Sequence, residues 1–535
     1  MTIAKNSRTG FSRRSMLKGA AAAGAFMATG PTILRAADQT TLVISMQADP
    51  TGFDPEAVLN NSSGFIMATV FDGLVNYKSG TVEVGPGLAE SWDVSADGTT
   101  YTFHLRKGVS FHDGTPFNAQ TFIQGMDRLK KDDPNSIYKT GPVESYIDFT
   151  YGAVDSYKAV DDSTVAFQLK HAFAPFLTSL AMVWNGVVSP AAAIKFGKDF
   201  RNNPVGTGPF IFKEWRHNDQ IILEANKNYW GGQPKVDRLI FKINPDAQAS
   251  LLALRRGDVH ILADVSTQLV PAIKGDSNLV LMTQPGLAIS GMGMPFDVAP
   301  FTDKRVRQAL NYAVDKEAIN KSLFQGLAVP LTSPLPEAQW GFDSSLKGYP
   351  YDPVKAKSLL AEAGLQNGFK VELLTYNSAR GYNPAGAELA VAIQGYLKKV
   401  GVEVSIQKME MGSFLSQIRS GKYQGMFMVG WTGDNGDPDN FLYELFSSDN
   451  IPVGNTARYK NSDVDADLRQ AQQEADHDKR VALYQKAQKT ILDDAPWAFI
   501  NSVEQVRAAS KRVQGYVLNP TQMFSGMEKV SLAQT

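Results

Sequence analysis

The chain has 535 residues, 43% of them apolar and 20% charged, and it contains no cysteine. Ordinary globular usage excludes a disordered, collagen-like or coiled-coil chain, and the lack of cysteine excludes a disulfide framework, a thiol nucleophile, thiolate zinc and iron–sulfur ligation. Six basic and no acidic residues fall in 1–37, leaving 47 of the 53 basic residues against all 54 acidic ones; a body of net charge −7 without a basic stripe argues against nucleic acid as a partner.

In chain order, Ser12-Arg13-Arg14-Ser15-Met16-Leu17-Lys18 precedes a short Gly/Ala-rich apolar run at 19–30. A paired Arg ahead of a weakly hydrophobic segment resembles a twin-arginine export signal. The run is shorter than the roughly 20 residues a transmembrane helix needs. Arg13 and Arg14 are therefore expected to address the chain to the twin-arginine export machinery, with cleavage near Ala36 or Ala37. No later stretch is apolar over a membrane-spanning length, so the mature chain is expected to be soluble, in the periplasm.

The body opens on a strand at 42–45. Tyr101, Phe103 and Leu105 alternate with Thr102, His104 and Arg106, which predicts a half-buried strand after the turn at 95–98; 163–169 alternates in the same way. Asn118 is placed to cap a helix reaching Leu129. Strands are expected at 221–224 and 238–243, a helix at 247–256 between Asp246 and Gly257, and a strand at 258–262. Asp303 caps a helix with Val306, Leu310, Ala313 and Val314 on one face, and another helix covers 352–363.

The run 369–431 is the most informative. A strand at 371–376 leads into a loop, 377–383. Pro384 suits the first turn of a helix capped by Asn383, with Leu389, Ile393, Leu397 and Val400 on one face and Gly401 as its stop. A strand at 402–407, a helix at 413–420 and a strand at 425–431 follow. Strand–helix–strand–helix–strand at this spacing predicts a parallel α/β sheet.

Most candidate motifs fall away. Val205-Gly206-Thr207-Gly208-Pro209-Phe210 has no Lys-Ser/Thr after it, and Pro209 removes an amide that a phosphate cradle would use, so a turn between domains is the better reading. Gly291-Met292-Gly293 lacks the third glycine of a dinucleotide fingerprint. None of the six histidines pairs with another at three- or four-residue spacing, so no metal site is expected. Asp434-Asn435-Gly436-Asp437-Pro438-Asp439-Asn440 is acidic and turn-rich but lacks the distal Glu of a calcium loop. No Gly-x-Ser-x-Gly elbow occurs, and no catalytic group is identifiable, so neither an enzyme nor a resident cofactor is expected.

Two loop residues remain. Arg380 follows one strand of the α/β unit and precedes a helix; Asp434 directly follows another. If those strands are parallel, both loops leave the carboxyl edge of the sheet, where open α/β sheets bind ligands. A guanidinium beside the positive end of a helix on one side, and a carboxylate on the other, suit a zwitterion. From spacing alone, a solvated loop charge is the more ordinary reading of each residue.

Longer stretches carry a resemblance. Glu90-Ser91-Trp92-Asp93, Tyr101-Thr102-Phe103-His104-Leu105-Arg106-Lys107-Gly108 and Phe111-His112-Asp113-Gly114 resemble the signature of family 5 of the bacterial extracellular solute-binding proteins, the peptide-binding receptors of ABC importers. Asn203-Pro204 through Phe210, Asn228-Tyr229-Trp230, Lys304 through Leu310 and Tyr351 through Ala356 are also similar, so the likeness spans the mature chain. It implies a type II, two-lobed α/β periplasmic-binding-protein fold with an extra subdomain in the first lobe: lobe I at 38–284 plus 505–535, the subdomain near 81–204, and lobe II at 285–504. It also implies a monomer that hands its ligand to ABC permease subunits at the inner membrane. Gly430 through Phe441 most resembles the dipeptide-binding members, whose aspartate for the peptide amino group falls on Asp434. Their arginine for the carboxylate falls on Arg380, in a matching Arg-x-Tyr-Asn-Pro setting that includes Tyr382. Trp431 lies in the matched stretch, and Met411 stands where those members have a pocket tryptophan. Asp494-Ala495-Pro496-Trp497 is as similar to the glutathione-binding members, so the expected ligand is a dipeptide or short peptide, with glutathione, haem or a metal chelate as alternatives and an exported hydrolase as the alternative from another class.

Overall fold

The computed structural model describes residues 40–533 apart from 142 and 144. The export segment with Arg13 and Arg14 lies outside the described residues. The body, Thr40–Thr535, is one compact unit.

Its first sheet has seven strands, in the order Leu279–Gln284, Gln505–Ser510, Ile261–Leu262, Thr41–Met46, Arg238–Ile243, Gln220–Ala225 and Phe210–Arg216. Its second has six: Ala328–Pro330, Trp497–Val503, Ala288–Gly293, Met426–Thr432, Phe369–Tyr376 and Val402–Met409. The chain passes from the first sheet to the second between Gln284 and Ala288 and returns between Val503 and Gln505. A third, four-stranded antiparallel sheet joins Ala89–Val94, Thr100–Leu105, Thr164–Leu169 and Val154–Asp161. Each sheet buries its own apolar cluster: Leu42, Ile44 and Phe241 in the first, Leu373, Met426 and Phe499 in the second, Phe103, Val165 and Phe167 in the third. Alternation accounts for the third sheet, where Tyr101, Phe103 and Leu105 are buried and His104 is exposed.

Local chemistry sets the element ends. The helix Ala247–Arg256 begins where the Asp246 carboxylate accepts from the Gln248 and Ala249 amides, and it ends at Gly257 in the left-handed conformation. The expected strand at 258–262 shrinks to Ile261–Leu262, because the amides of Asp258 and Val259 still donate to Ala253 O of that helix, at 3.0 and 3.4 Å. The helix after Asn118 does carry a capping box with Thr121, but it stops at Asp127 rather than Leu129.

The α/β unit is parallel. Phe369–Tyr376 runs alongside Val402–Met409 in full register and meets Met426–Thr432 through Leu373↔Met426 and Leu374↔Phe427. Beyond it the sheet turns antiparallel, Met426–Thr432 pairing with Ala288–Gly293. One expected detail is corrected: Pro384 does not open the next helix and Asn383 does not cap it. That helix is Ala387–Lys398, preceded by Gly386 with φ +58°. The buried Asn383 amide instead donates to Tyr376 Oη at 3.0 Å and Gly386 O at 2.9 Å, tying the loop to its own strand.

Candidate functional site

Asp434 stands two residues beyond Met426–Thr432, in a loop held at nearly every step. Gly433 N donates to Leu287 O at 2.6 Å. The buried Asn440 side chain accepts from Asp434 N at 3.1 Å and Trp431 Nε1 at 2.9 Å, fixing both residues from one oxygen. Gly436 O accepts from Gln339 Nε2 and Trp340 Nε1 at 2.8 and 2.9 Å. Asp437 receives Arg480 Nη2 at 2.8 Å and Tyr484 Oη at 3.3 Å, so the most buried acid of this turn serves an internal ion pair. Among the described residues no group of three or more His, Asp and Glu is placed to hold a metal ion.

The Asp434 side chain meets the far part of the molecule. Tyr146, at the start of the helix Ile147–Tyr151, donates its hydroxyl to Asp434 Oδ2. Beside it, Asn435 Nδ2 donates to Ser179 Oγ at 3.2 Å. Removal from water pushes Asp434 up to about 6, while the Tyr146 hydroxyl pulls the other way. Asp434 also forms part of the wall of a cavity of about 360 Å³ whose other residues come mainly from 68–86, 181–186, 229–231 and 519–529.

Arg380 leaves the same edge of the sheet, from the strand Phe369–Tyr376. Its loop closes as a tight hairpin in which Arg380 N and Asn383 N each donate to the other's carbonyl, at 3.0 and 2.9 Å. Arg380 is exposed, and its guanidinium carbon lies 6.0 Å from the centre of the Tyr382 ring. Tyr382 packs against Gly430, where any Cβ would overlap its ring, so this glycine permits the contact between the two loops' strands. Burial raises the Tyr382 hydroxyl, and the Arg380 charge partly opposes that.

A chain of contacts thus runs from Arg380 through Tyr382 to Gly430, then from the adjacent Trp431 through Asn440 to Asp434. Met411 is reached only indirectly: it opens the helix Met411–Arg419, capped by Glu410, and Phe414 of that helix packs 5.2 Å from Tyr376, whose ring is 6.3 Å from Tyr382. Neither Arg380, Tyr382, Trp431 nor Met411 lines the cavity at Asp434. The expected helix dipole at Arg380 is also displaced, since the helix starts only at Ala387. The partners that sequence reasoning missed are Tyr146 and Ser179. They lie 288 and 256 residues from their partners, and no local pattern marks either. In chemical terms the arrangement offers a desolvated carboxylate with a hydroxyl partner, a cavity beside it, and a cation on a neighbouring loop.

The chain resembles known proteins over nearly its whole length. Residues 83–452 match the model of the bacterial extracellular solute-binding proteins, family 5 Middle. The dipeptide-binding protein of Escherichia coli K12 is 37% identical over 504 residues, covering 91% of this chain and 94% of that one. Heme-binding protein A of Haemophilus influenzae is 36% identical over 509 residues, 92% of each chain. An ABC transporter-associated periplasmic binding protein of Helicobacter pylori, solved with the peptide STSA, is similar with a TM-score of 0.78 and 32% identity, covering 93% of this chain and 99% of that one. Among the described residues no helix is long and apolar enough to cross a membrane. With its two large mixed sheets, crossed twice by the chain, the protein has the type II two-lobed α/β fold and belongs to family 5 of the bacterial extracellular solute-binding proteins.

Proposed function

We propose that this protein is the exported receptor of an ABC importer, a periplasmic monomer that captures a dipeptide or short peptide and delivers it to the permease without making or breaking a bond. Asp434 takes the ligand's ammonium and Arg380 its carboxylate, with Tyr382, Trp431 and Met411 around them. The lobes are 38–284 plus 505–535, carrying the subdomain at 81–204, and 285–504; the two crossings at 285–287 and 504 are the hinge. The observation that carries this reading is Asp434 itself: a half-buried carboxylate on a cavity wall, shifted by desolvation toward its protonated form, at the same sheet edge as Arg380.

Calorimetric titration with Ala-Ala tests it and has a definite pH dependence. An ammonium pairs with ionised Asp434, and protonation near pH 6 removes that partner, so affinity is high at pH 7.5 and falls roughly tenfold by pH 5. The ligand-free protein responds with the opposite sign. Its Asp434 prefers the proton more than the unfolded chain does, so this group costs stability above pH 6 and the cost is relieved as pH falls. Asp434→Asn flattens the affinity profile between these pH values. Tyr146→Phe moves its midpoint upward, because the hydroxyl that favours the ionised form is gone. No heat with any dipeptide, together with Soret absorption in the purified protein, would favour the second reading, a haem receptor, which the 36% identity to a heme-binding relative supports.

Export follows the twin-arginine route in this proposal. Arg13→Lys with Arg14→Lys keeps the charge and removes the motif, so fractionation is expected to find the precursor in the cytoplasm. Normal periplasmic yield from that variant would mean export by another route.

A further inference from the structure

The cavity at Asp434 has a shape that the two-ended grip does not use. A peptide held by its ammonium at Asp434 must run its backbone toward Arg380, and Arg380 is not on the cavity wall. The first Cα carries one other branch, its side chain. That branch is the part of the ligand left to enter the cavity.

The walls say what kind of side chain fits. Trp184 and Met523 provide apolar surface, and Tyr77, Tyr229 and Trp230 add aromatic faces. The one deeply buried acid on the wall, Asp72, is fully engaged: Thr207 Oγ1, Tyr229 Oη and Trp230 Nε1 donate to it at 2.9, 3.0 and 2.8 Å. Lys78 on the wall is paired with Glu83 at 3.0 Å, and Lys529 lies 3.8 Å from Glu528. The wall acids Asp72 and Asp434 are thus each met by neutral hydroxyl or N–H donors, and each wall lysine lies near a glutamate, so the lining makes no demand for a charged side chain. A volume of about 360 Å³ falls in the range of pockets that hold small organic groups.

We infer that this cavity is the pocket for the side chain of the ligand's first residue, and that it selects large aromatic side chains there; the inference rests on the peptide reading above. Trp-Ala then binds wild-type protein roughly ten- to a hundredfold more tightly than Gly-Ala, the difference expected for burying one large apolar side chain. Ala-Trp, with the same atoms in the other order, gains no such advantage. Ala68→Phe and Ser525→Phe add bulk to the cavity from two separate stretches of its lining. Each is expected to weaken Trp-Ala while leaving Gly-Ala within about twofold, and melting curves of the ligand-free variants identify any that fail to fold.

Calorimetry with the three dipeptides on wild type and both variants decides the matter. Equal affinity of wild type for Trp-Ala and Gly-Ala, with both lost on acetylation of the amine, overturns the pocket and leaves the peptide reading standing. Equal weakening of Trp-Ala and Ala-Trp by the filling variants also overturns it. Failure of all three dipeptides to bind wild type overturns the peptide reading and the pocket with it.

Discussion

Arg480→Met is expected to lower the melting temperature of the ligand-free protein by about 3–5 degrees. Arg480 reaches from the helix His477–Asp494 to Asp437, 2.8 Å away, and the two side chains are 8% and 0% exposed. Arg480 Nε donates to Ala471 O at 2.9 Å, and its guanidinium lies 5.0 Å from the centre of the Trp340 ring, so its geometry is fixed from three sides. Asp437 already has one buried oxygen, Oδ2, without a hydrogen-bond partner. Taking away the arginine leaves a buried carboxylate with no cation, its Oδ1 met only by the neutral donors Asp439 N and Tyr484 Oη at 3.0 and 3.3 Å. Breaking one side of such a pair costs about 3–5 kcal/mol, whereas replacing both partners with apolar groups is often neutral. With an unfolding entropy of about 2.1 cal/mol/K per residue, a compact body of roughly 500 residues shifts by about 1 °C per kcal/mol, so the single variant melts several degrees below wild type. Asp437→Leu combined with Arg480→Met recovers most of the loss. A single variant that melts within about one degree of wild type would show that Asp437 has another route to compensation. The same pair anchors the turn that carries Asp434, where Asp437 N donates to Asn435 Oδ1 at 3.0 Å.

What the sequence made legible and what it did not divide along physical lines. The helix Ala247–Arg256 is legible to the residue, since its cap and stop are carried by Asp246 and Gly257 themselves. So is the face Leu389, Ile393 and Leu397, because a 3.6-residue period needs no knowledge of the partner surface. The strand–helix alternation of 369–431 was enough to bring the loops of Arg380 and Asp434 to one sheet edge. Errors arise where a side chain serves a distant or competing partner. Asn383 looks like a cap, but its amide is spent on Tyr376 and Gly386. The strand expected at 258–262 loses its first residues to the preceding helix, whose carbonyl at Ala253 takes their amides. Tyr146 shows the deeper limit. Its role depends on Asp434, 288 residues away and on a different sheet's edge, and no spacing rule connects them. The cavity is invisible for the same reason, its wall being assembled mainly from four separate stretches of chain besides Asp434.

The two ends of the ligand are expected to account for most of the affinity, and Arg380→Ala and Asp434→Asn to remove it in different ways. Arg380 presents a planar fork suited to bidentate capture of a carboxylate. It stands exposed, with the Tyr382 ring 6.0 Å away as a platform, and among the described residues no carboxylate pairs with it. Asp434 is held from behind by Tyr146 and Asn440, so its orientation is set before ligand arrives. Losing one partner of a hydrogen-bonded charge pair that becomes buried on binding costs about 2–5 kcal/mol. At tenfold per 1.4 kcal/mol, affinity drops by roughly thirty- to several-thousandfold. Arg380 begins exposed, so its effect falls toward the lower end unless closure dries the site; Asp434 begins half-buried, so its effect is the larger of the two. The signature is in the pattern, not the size. Wild type discriminates strongly against both the C-terminal amide and the N-acetyl form of one dipeptide. Arg380→Ala loses the first discrimination and keeps the second, while Asp434→Asn does the reverse. Calorimetry over the three proteins and three ligand forms gives each coupling as a double-mutant cycle. Wild-type protein that binds amidated and acetylated dipeptides as tightly as the free one would mean that neither residue grips an end, and that the cargo is not a short zwitterionic peptide.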